Sequence, residues 1–214
     1  MRKLLVSLIV LVFAAAPASA QNLVVDGSFE NFGASGVWTS IADDGETFGA
    51  WTAHTTGSYA VWLLVDSVDG VMGGTWIIPD GAEAVHIGDN YTFGYITQVI
   101  SGFNVGQKYE VSLAAIAYQD SIPPWWGTLE IYDPLKPGVY DLQVDFDTSL
   151  PGEGGEFLYS SFEFTASATE LELSIINPGG SALNIDDVRV VAVAPVIIAP
   201  CENAPCEKEI VVWE

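Results

Sequence analysis

The chain is predicted to fold as an all-β sandwich of jelly-roll type, and three observations carry that expectation. Apolar residues alternate with polar ones in short runs: Tyr109, Val111, Leu113, Ala115 and Ala117; Leu129 and Ile131; Phe162 and Phe164; Leu171, Leu173 and Ile175. Turn residues punctuate these runs at Gly45, Gly57-Ser58, Pro79-Asp80-Gly81, Gly102 to Gly106, Pro123-Pro124, Pro151 to Gly155 and Asn177 to Gly180. Helical spacing is nowhere sustained, and many short strands between Gly/Pro turns pack best as two sheets.

The amino terminus reads as an export signal: Arg2 and Lys3 form a basic region, Leu4 to Ala16 an apolar run, and Ala18-Ser19-Ala20 a small-residue cleavage site. The run is shorter than the roughly 20 residues needed to span a bilayer. Residues 1–20 are therefore expected to be removed, 21–194 to form one β-sandwich, and 195–214 a Pro- and Cys-containing tail. The expected location is secreted, periplasmic or at the cell surface, with no transmembrane anchor.

The formal charge is −22, with 28 acidic residues against six basic ones. Beyond the signal the basic residues are Lys108, Lys136, Arg189 and Lys208. Such a surface excludes nucleic acid as a partner, because phosphate binding needs a basic face. It fits hard cations, or simple solvation of an acidic surface.

Two segments at opposite ends of the sandwich region, NLVVDGSFE (22–30) and ALNIDDVRV (182–190), each read as a strand with acids set into it. In the second, Leu183 and Ile185 share one parity while Val188 and Val190 lie on the other. An extra residue must be absorbed at Asp186-Asp187, which a β-bulge does. The bulge would aim both carboxylates at a site on the sheet edge. In the first segment Leu23 and Val25 are expected in the core, Asp26-Gly27 in a turn, and Phe29 as an anchor that aims Glu30 across the sandwich. If the two segments are neighbours, Glu30 and Asp187 could share one ion, calcium being the natural choice outside a cell. Carbonyls of Asp26 or of Asp43-Asp44-Gly45-Glu46 would complete its shell. The alternative is that Glu30 bonds only backbone amides and Asp186 is solvated.

These segments, together with FGAWTAH (48–54), PDGAEAVHIG (79–88) and YITQVISGFNVGQKYEVSLAA (95–115), resemble the galactose-binding-domain-like superfamily of secreted jelly rolls, which includes carbohydrate-binding modules and related domains of bacterial exported and plant cell-wall proteins. The resemblance covers roughly residues 22–193. It implies a two-sheet jelly roll, a structural calcium near SFE and DDV, and a ligand surface on one sheet or its rim. Carried over by position, Glu30 and Asp187 are metal ligands, with Asp186 the substitute if the bulge is reversed. The chain departs from the pattern in having Asp26 where Asn is commoner, and in an acidic insertion at 132–156.

Sugar binding needs flat aromatic faces and hydrogen-bonding side chains, and the chain offers seven Trp and eight Tyr. Trp125 and Trp126 are the leading pair, with Tyr118 and Gln119-Asp120 upstream as polar contacts. The other reading of the pair is an apolar plug at one end of the sandwich. Trp38, Trp51, Trp62 and Trp76 are expected in the core. His86 is expected as a half-exposed strand residue.

Catalytic signatures are few. The two histidines, His54 and His86, lie in no nucleophile context, and no G-x-S-x-G, phosphate loop or H-E-x-x-H occurs. Asp145 and Asp147 share a strand face as a carboxylate pair of glycosidase type, or as solvated edge residues. Cys201 and Cys206, the two cysteines, are expected to close a small disulfide loop in the tail, or to pair with another chain. The tail is also a candidate contact for a protein partner. The leading functional expectation is a non-catalytic, calcium-stabilised carbohydrate-binding or adhesion module that takes a polysaccharide or other glycan. The alternatives are a structural matrix or surface-layer protein, and, behind both, a glycan hydrolase or lyase.

Overall fold

A computed structural model describes residues 21–31, 38–41, 44–55, 61–65, 77–88, 93–117, 126–148, 156–179 and 182–194, with the backbone alone for 38–41 and 62–65. The signal, the tail with Cys201 and Cys206, and Tyr118, Gln119 and Trp125 lie outside the described residues. Among the described residues no helix is long and apolar enough to cross a membrane.

The strands are β1 (Trp38–Ile41), β2 (Thr47–Phe48), β3 (Trp51–Thr55), β4 (Val61–Val65), β5 (Glu83–Ile87), β6 (Gly94–Ser101), β7 (Lys108–Ala117), β8 (Trp126–Tyr132), β9 (Tyr140–Asp147), β10 (Leu158–Thr165), β11 (Glu170–Asn177) and β12 (Leu183–Ala192). They form two antiparallel sheets, β1-β4-β5-β12-β7-β10 (sheet A) and β2-β3-β6-β11-β8-β9 (sheet B). From β5 onward the chain crosses repeatedly between the sheets. That alternation is the jelly-roll arrangement, and the protein is an all-β, two-sheet sandwich as the periodicity predicts.

Alternation along each strand supplies the core. Ile96 and Ile100 of β6, Leu129 and Ile131 of β8, and Leu171, Leu173 and Ile175 of β11 face Leu113, Leu183, Ile185, Val188 and Val190 of sheet A. Aromatic clusters lie within this core. In one, Phe29 stands 5.3 Å from Trp51 and 6.4 Å from Phe48; in the other, Tyr109 contacts Phe103 and Phe164. Trp51 is fully buried.

Two local expectations are corrected. Residues 22–31 form no regular strand: Val24 is buried and Val25 exposed. The side chain of Gln98 accepts the Val25 N–H and donates to the Val25 carbonyl, both at 2.8 Å, and so replaces a partner strand. His86 is buried rather than half-exposed, because β5 lies inside sheet A between β4 and β12, and its Nδ1 lies 2.8 Å from Asn184 Oδ1.

Close packing between the sheets fixes Gly127 on β8, where an added Cβ would stand 2.3 Å from Phe146 Cζ and 2.8 Å from Leu183 Cδ1. Gly127→Ala is expected to destabilise the fold by about 1–3 kcal/mol through overpacking. Urea unfolding checks this: the midpoint should fall with an unchanged slope, and an unchanged midpoint would contradict it.

Candidate functional site

The parity slip in the last strand is a bulge in the structure. Pairing of β12 with β7 shifts between Asp186 and Arg189, and Asp187 takes a left-handed conformation with φ 49°. The shift lets Leu183 and Ile185 on one side, and Val188 and Val190 on the other, all enter the core. Beside the bulge the N-terminal arm is bonded to β12: Leu23 N–H donates to Val190 O, and Val188 N–H donates to Gly27 O.

Asp186 is fully buried. Its Oδ2 accepts the Asp80 N–H at 2.8 Å, while its Oδ1 has no hydrogen-bond partner. Burial pushes its carboxyl up to about 7, against backbone hydrogen bonds from Asp80 and Asp187 that pull the other way. Glu30 reaches the same turn from the opposite end of the chain, where its Oε1 accepts the N–H groups of Ala82 and Glu83, both at 2.6 Å. Gly81 permits this approach, because it has φ 94° and a Cβ there would stand 2.3 Å from Glu30 Oε1.

Glu30 and Asp186 thus converge on residues 80–83. Asp187 points elsewhere, with Oδ1 2.5 Å from Arg189 Nε. Asp26 lies with it, lining a surface cavity of about 370 Å³ shared with Asn22, Asn31, Asp80 and Arg189. Asp26 Oδ1 accepts from Asn31, and its carbonyl accepts from Trp51 Nε1. Asp44 is drawn away to His54 and the Thr55 N–H. Glu83, which the sequence reading did not single out, is buried at the same turn.

No group of three or more His, Cys, Asp or Glu side chains among the described residues is placed to hold a metal ion. The fit of a cation rests instead on the orphaned, fully buried Oδ1 of Asp186, next to a turn that also receives Glu30. A hard cation with irregular geometry, completed by carbonyl oxygens, suits that donor set.

The outer face of sheet B is a second feature. Cross-strand register sets its side chains in rows: His54, Tyr95, Ile176, Thr128 and Asp145; then Thr52, Thr97, Ser174, Glu130 and Gln143; then Val99, Glu172, Tyr132 and Tyr140. The middle row is small at Thr52, Thr97 and Ser174, and the last two are buried. Taller residues stand on both sides, so the row forms the floor of a trough across the strands. The three small residues span two strand spacings, roughly 10 Å, and Glu130 and Gln143 close the row at one end.

Hydrogen bonds hold the walls. His54 stacks on Tyr95 at 4.4 Å, and its Nε2 lies 3.1 Å from Thr97 Oγ1. Phe93 adds to that wall. Opposite, Tyr132 donates to Glu172 and meets Tyr140 edge-on. Burial and Glu172 raise the Tyr132 hydroxyl well above the ordinary tyrosine value. Trp126, half-buried at the start of β8, projects onto this face beside the first row. Asp145 accepts from Thr128 Oγ1 on the exposed edge strand β9, and Asp147 lies opposite Trp126. Of the aromatic group proposed from sequence, Trp126 is the described member. The trough residues were legible only as alternation within β6, β8 and β11.

No protein-family signature and no curated protein matches the chain. Solved structures do. A family 61 carbohydrate-binding module in complex with β-1,4-galactotriose aligns with 81% of this chain and 99% of its own, at 13% identity and TM-score 0.50. The enzymatically active domain of tailspike protein 4 from bacteriophage CBA120 aligns with 80% of this chain at 13% identity and TM-score 0.50, but this chain spans 21% of it. A family 16 carbohydrate-binding module aligns at 15% identity and TM-score 0.47, covering 79% of this chain and 99% of its own. The first two likenesses show a shared fold, the two-sheet jelly-roll sandwich.

The buried carboxyl makes a pH prediction. Because the folded value of Asp186 lies above its ordinary 3.8, it contributes stability below about pH 4 that is lost as pH rises through about 7. Without added cations, Asp186→Asn should be more stable than wild type at about pH 8, by on the order of 3 kcal/mol, and little different at about pH 4. Urea unfolding across that range checks it, and parallel curves for the two proteins would contradict it.

Proposed function

We propose that the protein is an exported, non-catalytic glycan-binding module whose ligand lies in the trough on the outer face of sheet B. The observation that carries this reading is the trough itself: a small polar floor at Thr97 and Ser174 between aromatic walls, running across the strands. Pyranose rings present C–H faces to aromatic side chains and hydroxyls to polar ones, and both are supplied here in alternating rows. Tyr95, His54 and Trp126 would stack on the sugar, and Glu130, Gln143 and Glu172 would bond its hydroxyls. The jelly-roll likeness to carbohydrate-binding modules and the export signal support the same reading.

Tyr95→Ala and Trp126→Ala should each weaken glycan binding about tenfold while leaving the melting temperature nearly unchanged, since both side chains are half-exposed. A broad glycan array followed by titration calorimetry measures this. Absence of binding to every glycan would move the assignment to a structural matrix or surface-layer protein.

The same proposal includes a structural calcium at the 80–83 turn, held by Asp186 and Glu30 with Glu83 beside them and by backbone carbonyls. The ion would supply the counter-charge that the buried Asp186 Oδ1 lacks and would tie the two chain ends to sheet A. Calcium at a hundredfold excess over its dissociation constant should add about 2.7 kcal/mol, a rise of roughly 5–10 °C in melting temperature. Asp186→Asn should abolish that rise. Identical melting curves in calcium and in chelator would overturn the calcium assignment.

A further inference from the structure

The charge around the trough points to a narrower ligand class. Glu130, Glu172, Asp145 and Asp147 project from the outer face of sheet B. The hydrogen-bond donors that meet the first three are neutral: Gln143 to Glu130, Tyr132 to Glu172 and Thr128 to Asp145. The described cations are committed elsewhere. Lys108 pairs with Glu163, Lys136 with Asp133, and Arg189 with Asp187 and Asp80. Lys108 and Arg189 thus serve acids on the side of sheet A and Lys136 serves the turn after β8, whereas none of the described lysines or arginines pairs with the carboxylates of the trough face. The hydroxyl of Tyr95 in the trough wall is raised first by burial and then by Asp44 and Glu172, which registers the negative field on this face.

We propose that the trough selects its glycan by charge, taking a chain of sugars with free amino groups in preference to N-acetylated, uncharged or uronic-acid chains. This rests on the glycan-binding reading of the same face. An ionised carboxylate has about four acceptor sites, so Glu130 and Glu172 keep capacity after the bonds they receive from Gln143 and Tyr132. An ammonium group above the Thr97–Ser174 floor would form charge-assisted hydrogen bonds with them while its ring stacks on the wall. A uronate would meet like charge at the same points. An acetamide removes the positive charge and offers only a neutral donor.

The test is titration of the full chain with four hexamers at about pH 5.5, above the ordinary carboxylate range: glucosamine, N-acetylglucosamine, cellohexaose and galacturonate. The glucosamine hexamer should bind about tenfold tighter than the N-acetylated one. That advantage should fall to about twofold at high salt, where exposed charges are screened. Glu130→Gln with Glu172→Gln should remove the advantage. Glu110→Gln with Glu163→Gln, on the opposite sheet, should keep it, which separates the trough from general attraction to an acidic protein.

Equal or tighter binding of a neutral hexamer, lost in Tyr95→Ala, would overturn charge selection and leave the glycan face standing. An advantage that survives loss of Glu130 and Glu172, or falls equally in the opposite-sheet variant, would overturn it too. Failure of every hexamer to bind would overturn both this inference and the glycan-binding reading.

Discussion

The two-residue bulge in β12 is the constraint on which the rest of the sandwich depends. A strand central to sheet A must present apolar side chains to the core both before and after a pair of aspartates. With strict alternation that is impossible, since Leu183 and Val188 have opposite parity. The left-handed turn at Asp187 restores it, and the local disruption of the ladder frees backbone groups for the N-terminal arm. Gly27 lies so close to β12 that a Cβ would stand 2.0 Å from the Val188 carbonyl oxygen, so arm and bulge are one packed unit.

This junction also brings charge inside. Glu30 stays exposed and finds two backbone donors, but Asp186 has one oxygen without a partner in full burial. Such a group is unfavourable as an isolated anion. The fold meets that cost with a proton or a cation, and the two choices have opposite consequences for how stability varies with pH and with metal concentration. Asp187, one residue on, is paired with Arg189 at the rim of a polar cavity, so adjacent aspartates in one bulge occupy different electrostatic settings.

The second sheet has a different logic. Its inner face is mostly hydrocarbon, interrupted by the buried Gln98 and Asn177, while its outer face is graded by side-chain size across the strands. Small hydroxyl residues on the central strands β6 and β11 leave room that taller neighbours on the same strands and on β3, β8 and β9 enclose. The stacking of His54 on Tyr95 and the Tyr132–Glu172 bond fix those neighbours, and His54 reaches to the Thr97 hydroxyl at the buried floor. The two sheets thus differ: sheet A carries the junction of the N-terminal arm with β12, and sheet B a polar and aromatic outer face.

The sequence by itself determined the all-β sandwich and the bulge, because both follow from period-two alternation and its one interruption, which are local properties of the chain. That the NLVVDGSFE and DDV segments are neighbours was only a condition at the level of sequence, and the backbone bonds of Leu23 to Val190 and of Val188 to Gly27 meet it. Which carboxylate reaches the 80–83 turn was decided by tertiary structure: Asp186 and Glu30 both accept from its backbone, while Asp187, at the left-handed residue, pairs with Arg189. Likewise Tyr95, Thr97, Tyr132 and Ser174 are scattered between positions 95 and 174 of the chain, and only the cross-strand register of β6, β11 and β8 sets them side by side. Register between strands distant in sequence is fixed by the packing of the whole core, so no local pattern contains it.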